Sequence, residues 1–173
     1  MTHSDELQVT VIGGGPAGLM AAETLVQAGV PVDLYDAMPS VGRKFLLAGK
    51  GGLNLTHSEP ADPFASRYAT RRADIEPMLD RFGPDALRAW ATTLGIDTFV
   101  GTSGRVFPTD LKAAPLLRAW LHRLRAAGVR FHMRHRWLGW DAAGAPVAGD
   151  DGRRRWSRVV GRDQRLQVRD QHD

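Results

Sequence analysis

With 173 residues, the chain is long enough for one globular domain and buries roughly 70% of its unfolded surface on folding. Its 43% apolar and 24% charged composition is that of an ordinary globular protein, and no apolar run approaches the roughly 18 residues of a membrane span. The absence of cysteine excludes disulfides, thiolate metal sites and a thiol redox relay. The polar start, Met1 to Glu6, lacks the pattern of a signal peptide, so a cytoplasmic protein without a membrane partner is expected.

Leu7, Val9, Val11 and Ile12 make a strand-like apolar segment directly before Gly13-Gly14-Gly15-Pro16-Ala17-Gly18. Glycines stand at the three positions of a GxGxxG fingerprint, whose physics concerns phosphate. Gly13 permits the tight turn from strand to helix, Gly15 lets a pyrophosphate approach the backbone, and Gly18 lets the helix pack closely on the strand. The positive end of the helix, with unpaired backbone N–H groups, then faces the phosphates. Pro16 suits the first helical position, and Leu19, Ala22 and Val26 follow at helical spacing up to Gly29. Val32 to Tyr35 reads as a second strand, with Asp36 placed to hold an adenosine ribose.

From Ala37 to His57 the chain is glycine-rich and carries the adjacent cations Arg43 and Lys44. Gly42, Gly49, Gly51 and Gly52 break any single regular element, and a loop ending in Asn54 and Thr56 suits a flat, polar ligand. Ser58 to Arg72 reads as a connection containing Pro60 and Pro63. A helix capped by Asp74 is predicted through Phe82, and a second from Pro84, with Leu87, Trp90, Ala91 and Leu94 on its apolar face. That pattern makes Trp90 a core residue. Ile96 to Val100 reads as a strand. Gly101-Thr-Ser-Gly104 falls one residue short of a nucleophile elbow, and no Asp/His ordering supports a hydrolase.

The longest helix is predicted over Leu111 to Ala127, capped by Thr109 or Asp110, with Ala114, Leu117, Leu121 and Leu124 on its apolar face. Val129, Phe131 and Met133 then alternate with Arg130, His132 and Arg134 in a strand that joins the same parallel sheet. His132 and His135, at i and i+3 on a strand, point to opposite faces, so no metal site is expected. The arginines gather between Arg118 and Arg136 and again from Arg153, without the interleaved aromatics of an RNA-binding module. A solvated basic surface is expected, and no nucleic-acid partner.

After Asp141 the apolar periodicity disappears into Arg/Asp/Gln-rich sequence, with Val159-Val160 the local exception. The fold class is therefore α/β: an incomplete Rossmann-like parallel sheet with flanking helices. Residues 1–141, including a helical segment over 74–95, form the nucleotide-binding domain, and 142–173 an irregular or disordered tail. The abrupt switch also suggests a shifted reading frame, which sequencing of the locus would test.

The fingerprint Val11 to Ala22 resembles that of the two-dinucleotide-binding-domain flavoproteins. Val41-Gly-Arg-Lys44, the Gly49 to His57 loop and Gly104-Arg-Val-Phe-Pro108 are similar to the BaiN-like and aminoacetone-oxidase-type FAD-dependent oxidoreductases, in the same order. The resemblance covers about Leu7 to Asp141. It implies FAD, with Gly13, Gly15, Ala17 and Gly18 on the pyrophosphate and Asp36 on the adenosine ribose. Arg43, Lys44 and the Gly51, Asn54 and Thr56 loop would lie towards the ribityl chain and isoalloxazine. Many relatives carry Gly-Gly-Gly-Arg-Cys-Asn-Val-Thr-Asn in this loop. Here Gly52 replaces the arginine and Leu53 the cysteine, while Asn54 and Thr56 match.

The resemblance implies hydride transfer through flavin N5, with NAD(P)H as a candidate electron donor and a small molecule as substrate. No residue is singled out as a catalytic acid or base. Family members run much longer, so the alternative is a truncated, catalytically inert nucleotide-binding remnant. A pyridine-nucleotide-only Rossmann protein fits the fingerprint but leaves the Gly49 to Thr56 loop without a purpose.

Overall fold

The computed structural model describes residues 8–142, 146–150 and 157–158. Leu7, Val159-Val160 and most of the predicted tail lie outside the described residues. In chain order the elements are β1 (Val9–Ile12), α1 (Pro16–Gln27), β2 (Val32–Asp36), α2 (Arg43–Ala48) and β3 (Thr56–His57). There follow α3 (Ala61–Ser66), α4 (Arg72–Arg81), α5 (Pro84–Thr93), β4 (Thr98–Val100) and β5 (Arg105–Pro108). The chain continues with α6 (Ala113–Ala126), β6 (Arg130–Met133), β7 (His135–Trp140), β8 (Pro146–Asp150) and β9 (Ser157–Arg158). They fall into two compact units, one of residues up to Gly42 together with Leu124 onwards, the other of Arg43–Arg123.

In the first unit, β1, β2 and β6 form a parallel sheet in the order β1-β2-β6, with Val9 opposite Val32 and Leu34 opposite Phe131. This is the α/β arrangement expected from the sequence. The helix α1 packs against β1 and β2, and Leu19 and Ala22 of the helix are buried, as are Val32 and Leu34 of β2. Taking Leu19 and Leu34 out of water contributes about 1.5–3 kcal/mol each. Part of the stretch expected to be irregular is ordered: β8 pairs antiparallel with β7, and β9 with β8, burying Val147 and Ala148. The sequence Pro146-Val-Ala-Gly-Asp150 has too few apolar residues for a period-2 signal, so pairing with β7 rather than local pattern makes it a strand.

In the second unit, β3, β5 and β4 form an antiparallel sheet in the order β3-β5-β4. Its core gathers Leu53, Ala91, Ala113 and Leu116, against which Phe45, Leu55, Trp90, Leu94 and Ile96 pack. Trp90 meets Trp120 edge to face at 4.7 Å, in keeping with its reading as a core residue. The buried stripe of α6 differs from the expected one. It runs through Ala113, Leu116, Leu117, Trp120 and Leu124, while Ala114 is exposed, because Leu116 and Trp120 offer more apolar surface than Ala114.

Two further stretches are more regular than the sequence indicated. Arg43–Ala48 is a helix followed by a 3-10 turn over Gly49–Gly51, where a loop was expected, since six non-glycine residues stand uninterrupted between Gly42 and Gly49. The expected connection contains α3, with Pro60 at its N-cap and Pro63 in its first turn, where an N–H has no helical acceptor to lose. Arg72 opens α4 two residues before the predicted cap, pairing with Asp62 at 2.6 Å and with Glu76 at 2.9 Å.

Candidate nucleotide-binding site

The glycine turn between β1 and α1 is built by three different steric demands. Gly13 has φ 103°, a left-handed conformation, and its N–H donates to the Tyr35 carbonyl at 2.8 Å. A Cβ on Gly14 would lie 2.2 Å from Val41 Cγ1, and one on Gly18 would lie 1.8 Å from the carbonyl oxygen of Gly13. A Cβ on Gly15, by contrast, would meet nothing within 4 Å. Gly18 therefore makes the close helix-to-strand approach possible, and Gly15 leaves open space at the helix N-terminus.

That N-terminus has free donors. Gly15 is the N-cap of α1 and provides no side-chain cap, and the first intrahelical bond runs from the Leu19 N–H to the Gly15 carbonyl at 2.9 Å. Pro16 has no N–H, so Ala17 and Gly18 present the first-turn amides. No acidic residue stands in the first turn to compete with an anion.

Asp36 ends β2 beside this turn. Its Oδ2 accepts the Gly14 N–H at 2.6 Å, and its Oδ1 accepts the Met38 N–H at 2.7 Å. The Gly42 N–H closes the arrangement on the Gly14 carbonyl at 2.8 Å, over the buried Val41. Gly13, Gly15, Ala17, Gly18 and Asp36 are thus brought together. The contributions of Gly14, Met38 and Val41 are additions to the sequence reading. The signal for Met38 lay in the Asx-turn spacing of Asp36 and Met38, since aspartate accepts from the N–H two residues on. Nothing local marks the packing of Val41 against Gly14.

The remaining predicted residues belong to the second unit. Arg43 and Lys44 are exposed in the first turn of α2, and Gly51 is exposed at the end of the 3-10 turn. Leu53 donates to the Leu111 carbonyl at 2.9 Å and Leu55 to the Val106 carbonyl at 2.8 Å. Leu53 is buried and Asn54, between the two donors, is exposed. Thr56 pairs with Val106 in the β3–β5 ladder, so the loop and the Gly104 to Pro108 motif are neighbours. Leu53, at the position of the relatives' cysteine, is a core residue of this unit.

A second polar cluster lies on the β2–β6 pair. Asp33 is only 5% exposed and accepts from Gln8, from Arg130 through Nε and a terminal nitrogen at 2.7 Å each, and from His132 Nε2 at 2.7 Å. Burial disfavours its charge, but the bonds to Arg130 and His132 outweigh burial and hold the carboxyl below its ordinary value. Burial and the Asp33 charge push the Tyr35 phenol up. The faces predicted for His132 and His135 need correction. Arg134 has φ 63° and separates β6 from β7, which resets the alternation, and the two rings lie 6.1 Å apart.

Parallel βαβ topology, a glycine turn with free amides and an acid closing on that turn define a Rossmann-type dinucleotide-binding domain. The chain belongs to the family of the HI0933-like protein Rossmann domain, whose model matches residues 7–156. It is 32% identical to the thiamine thiazole synthase of Methanosarcina acetivorans over 98 residues, 54% of this chain and 38% of that protein. Among solved structures, the open conformation of a flavocytochrome c3 fumarate reductase is similar at a TM-score of 0.61 and 17% identity, covering 84% of this chain and 30% of that one. The 3-ketosteroid-Δ4-(5α)-dehydrogenase of Rhodococcus jostii RHA1, in complex with 4-androstene-3,17-dione, gives 0.58 and 16%, covering 87% and 44%. At such identities the likeness is one of fold. The chain spans less than half the length of each of these three proteins. Among the described residues no helix is long and apolar enough to cross a membrane.

Proposed function

We propose that this chain is the FAD-binding part of a flavin-dependent oxidoreductase, of the BaiN-like and aminoacetone-oxidase type. The observation that carries the reading is the contrast within one turn: Gly18 is closed by the Gly13 carbonyl, while Gly15 opens on free space beside unpaired amides. The residues present fit the cofactor's pyrophosphate. Gly13 and Gly15 admit it to the backbone, and Ala17 and Gly18 donate to it with the positive end of α1 behind them. Each Asp36 oxygen uses one lone pair on a backbone amide, which leaves capacity for the adenosine ribose hydroxyls. Asp36 would repel a 2′-phosphate, which favours FAD over NADP in this turn.

Arg43, Lys44, Gly51, Asn54 and Thr56 are assigned to the ribityl and isoalloxazine end by the family motif they carry. Bound flavin supplies hydride transfer through N5, and the protein supplies binding, orientation and electrostatics. NAD(P)H is the proposed electron donor, a small molecule the substrate and the cytoplasm the compartment, with neither nucleic acid nor a membrane as partner. Leu53 brings no thiol to this loop.

The test is an absorbance spectrum of the purified chain with an FAD titration. A flavin band, or FAD released on denaturation, supports the proposal; no uptake at micromolar FAD overturns it for this chain. Uptake without turnover would match the nucleotide-binding unit acting without catalysis.

A further inference from the structure

Within the second unit, α5 packs on β3 and β4, and a cavity of about 330 Å³ opens beside its first turn. That volume is at the lower end of the roughly 300–1,000 Å³ of small-ligand sites. The buried Val106 of β5 lines it, as do Pro60 and Pro84 at the starts of α3 and α5.

Four titratable side chains also line the cavity, and two of them are already satisfied. His57 uses both ring nitrogens: Nδ1 accepts the Glu59 N–H at 3.1 Å, and Nε2 donates to the Ser103 carbonyl at 3.0 Å. Glu59 is paired with Arg67, which donates to Oε2 at 2.9 Å and meets Oε1 through Nε. Arg88 and Asp85 are left. Arg88 is half-buried, and its Nε donates to Thr98 Oγ1 at 3.0 Å, which anchors the guanidinium. Its terminal nitrogens have no partner among the described residues. Asp85 is exposed and makes no ion pair among the described residues. The two stand three residues apart on one helix, so their Cβ atoms are about 5–6 Å apart.

Charge balance then selects the ligand. A plain carboxylate would match Arg88 but be repelled by Asp85, and a plain amine would match Asp85 but be repelled by Arg88. A molecule carrying both groups satisfies both residues at once, and Pro60, Pro84 and Val106 accept an aliphatic body. We propose that this cavity binds a small zwitterionic amino acid with an aliphatic side chain. Its carboxylate takes the free end of the Arg88 guanidinium, whose planar donors suit a carboxylate, and its ammonium takes Asp85. The site lies wholly in the second unit and does not depend on flavin.

The experiment titrates the isotope-labelled full chain with L-valine and follows the Arg88 Nε–H resonance by heteronuclear NMR. A saturable shift in the low millimolar range is expected. Isobutylamine, which lacks the carboxylate, should bind roughly tenfold or more weakly. Isovalerate, which lacks the amine, should bind about fivefold more weakly, since Asp85 is exposed. Arg88→Gln should erase the advantage of valine over isobutylamine and keep that over isovalerate, and Asp85→Asn should do the reverse. A merely structural role for either residue would not split the two preferences. No saturable shift at tens of millimolar valine overturns the site, as does isovalerate binding the parent as tightly as valine. Both of these readings come from the parent chain, so they decide even if Arg88→Gln fails to fold without its bond to Thr98.

Discussion

Asp36 Oδ2 accepts the backbone N–H of Gly14 at 2.6 Å, so the acid that ends β2 holds the glycine turn that follows β1. The other oxygen holds the Met38 N–H at 2.7 Å. Asp36 is therefore a loop organiser as well as the proposed ribose ligand. Asp36→Ala removes both acceptors, and hydrogen bonds to a charged group contribute about 1.5–3 kcal/mol net each, less where, as here, the pair is part-buried or exposed. A loss of about 1–3 kcal/mol in denaturant unfolding is expected, together with a large fall in FAD affinity. Asp36→Asn keeps one acceptor oxygen and should fall between the parent and Asp36→Ala in both measurements.

Gly15 and Gly18 should separate binding from folding. A Cβ at Gly18 lies 1.8 Å from the Gly13 carbonyl oxygen, a backbone atom that cannot rotate away. Gly18→Ala is expected to lower stability by about 1–3 kcal/mol or more, as overpacking does. Gly15→Ala meets nothing within 4 Å and should unfold close to the parent, yet its methyl would occupy the space assigned to the pyrophosphate. Thermal melts paired with FAD titrations check both. An FAD affinity unchanged in Gly15→Ala would remove the main support for the proposed site.

The glycine turn was legible in the sequence because its demands are local: a left-handed residue at Gly13 and a methyl-free contact at Gly18 each depend on a single position. The parallel strand β6 was legible as well, since a helix feeding a strand has few alternatives. Arg134 shows where that legibility stopped. Its φ of 63° has no local signature in an arginine, and that one residue reverses the faces inferred for His132 and His135. β8 was hidden for another reason, being a strand by virtue of pairing with β7 rather than through its own pattern. Likewise, Asp36 was read for the ligand it could hold, while its bonds to Gly14 and Met38 need the fold to be seen.

Asp33 predicts an acid-labile sheet. Its folded pKa lies below the ordinary value of 3.8, because Arg130 and His132 outweigh burial. A depressed carboxyl adds stability above its unfolded pKa and loses it as pH falls through the folded value. Stability should therefore be constant with respect to this group above about pH 5, and fall below about pH 4. Asp33→Asn should flatten that decline while costing about 1–3 kcal/mol at neutral pH, since Asn cannot pair both oxygens with Arg130. Arg130 is largely exposed and can rehydrate, which holds the cost below that of a fully buried pair. Unfolding free energies from pH 3 to 7 on both proteins test the sign.

In the second unit, Gly104 and His57 should prove energetically coupled. Gly104 has φ 77°, and a Cβ there would come within 2.6 Å of His57 Cε1. The His57 ring is held on both sides: Nδ1 accepts the Glu59 N–H at 3.1 Å, and Nε2 is 3.0 Å from the Ser103 carbonyl, to which it donates. It cannot swing aside without giving up both bonds. Gly104→Ala therefore suffers left-handed strain of about 1–2 kcal/mol and a side-chain clash in addition. His57→Ala removes the clash but not the strain. The double variant should then be more stable than the sum of the single losses predicts, by about 0.5–3 kcal/mol in a double-mutant cycle of denaturant unfolding. Strict additivity would show that the β4–β5 turn yields to the methyl, and that His57 does not fix its shape.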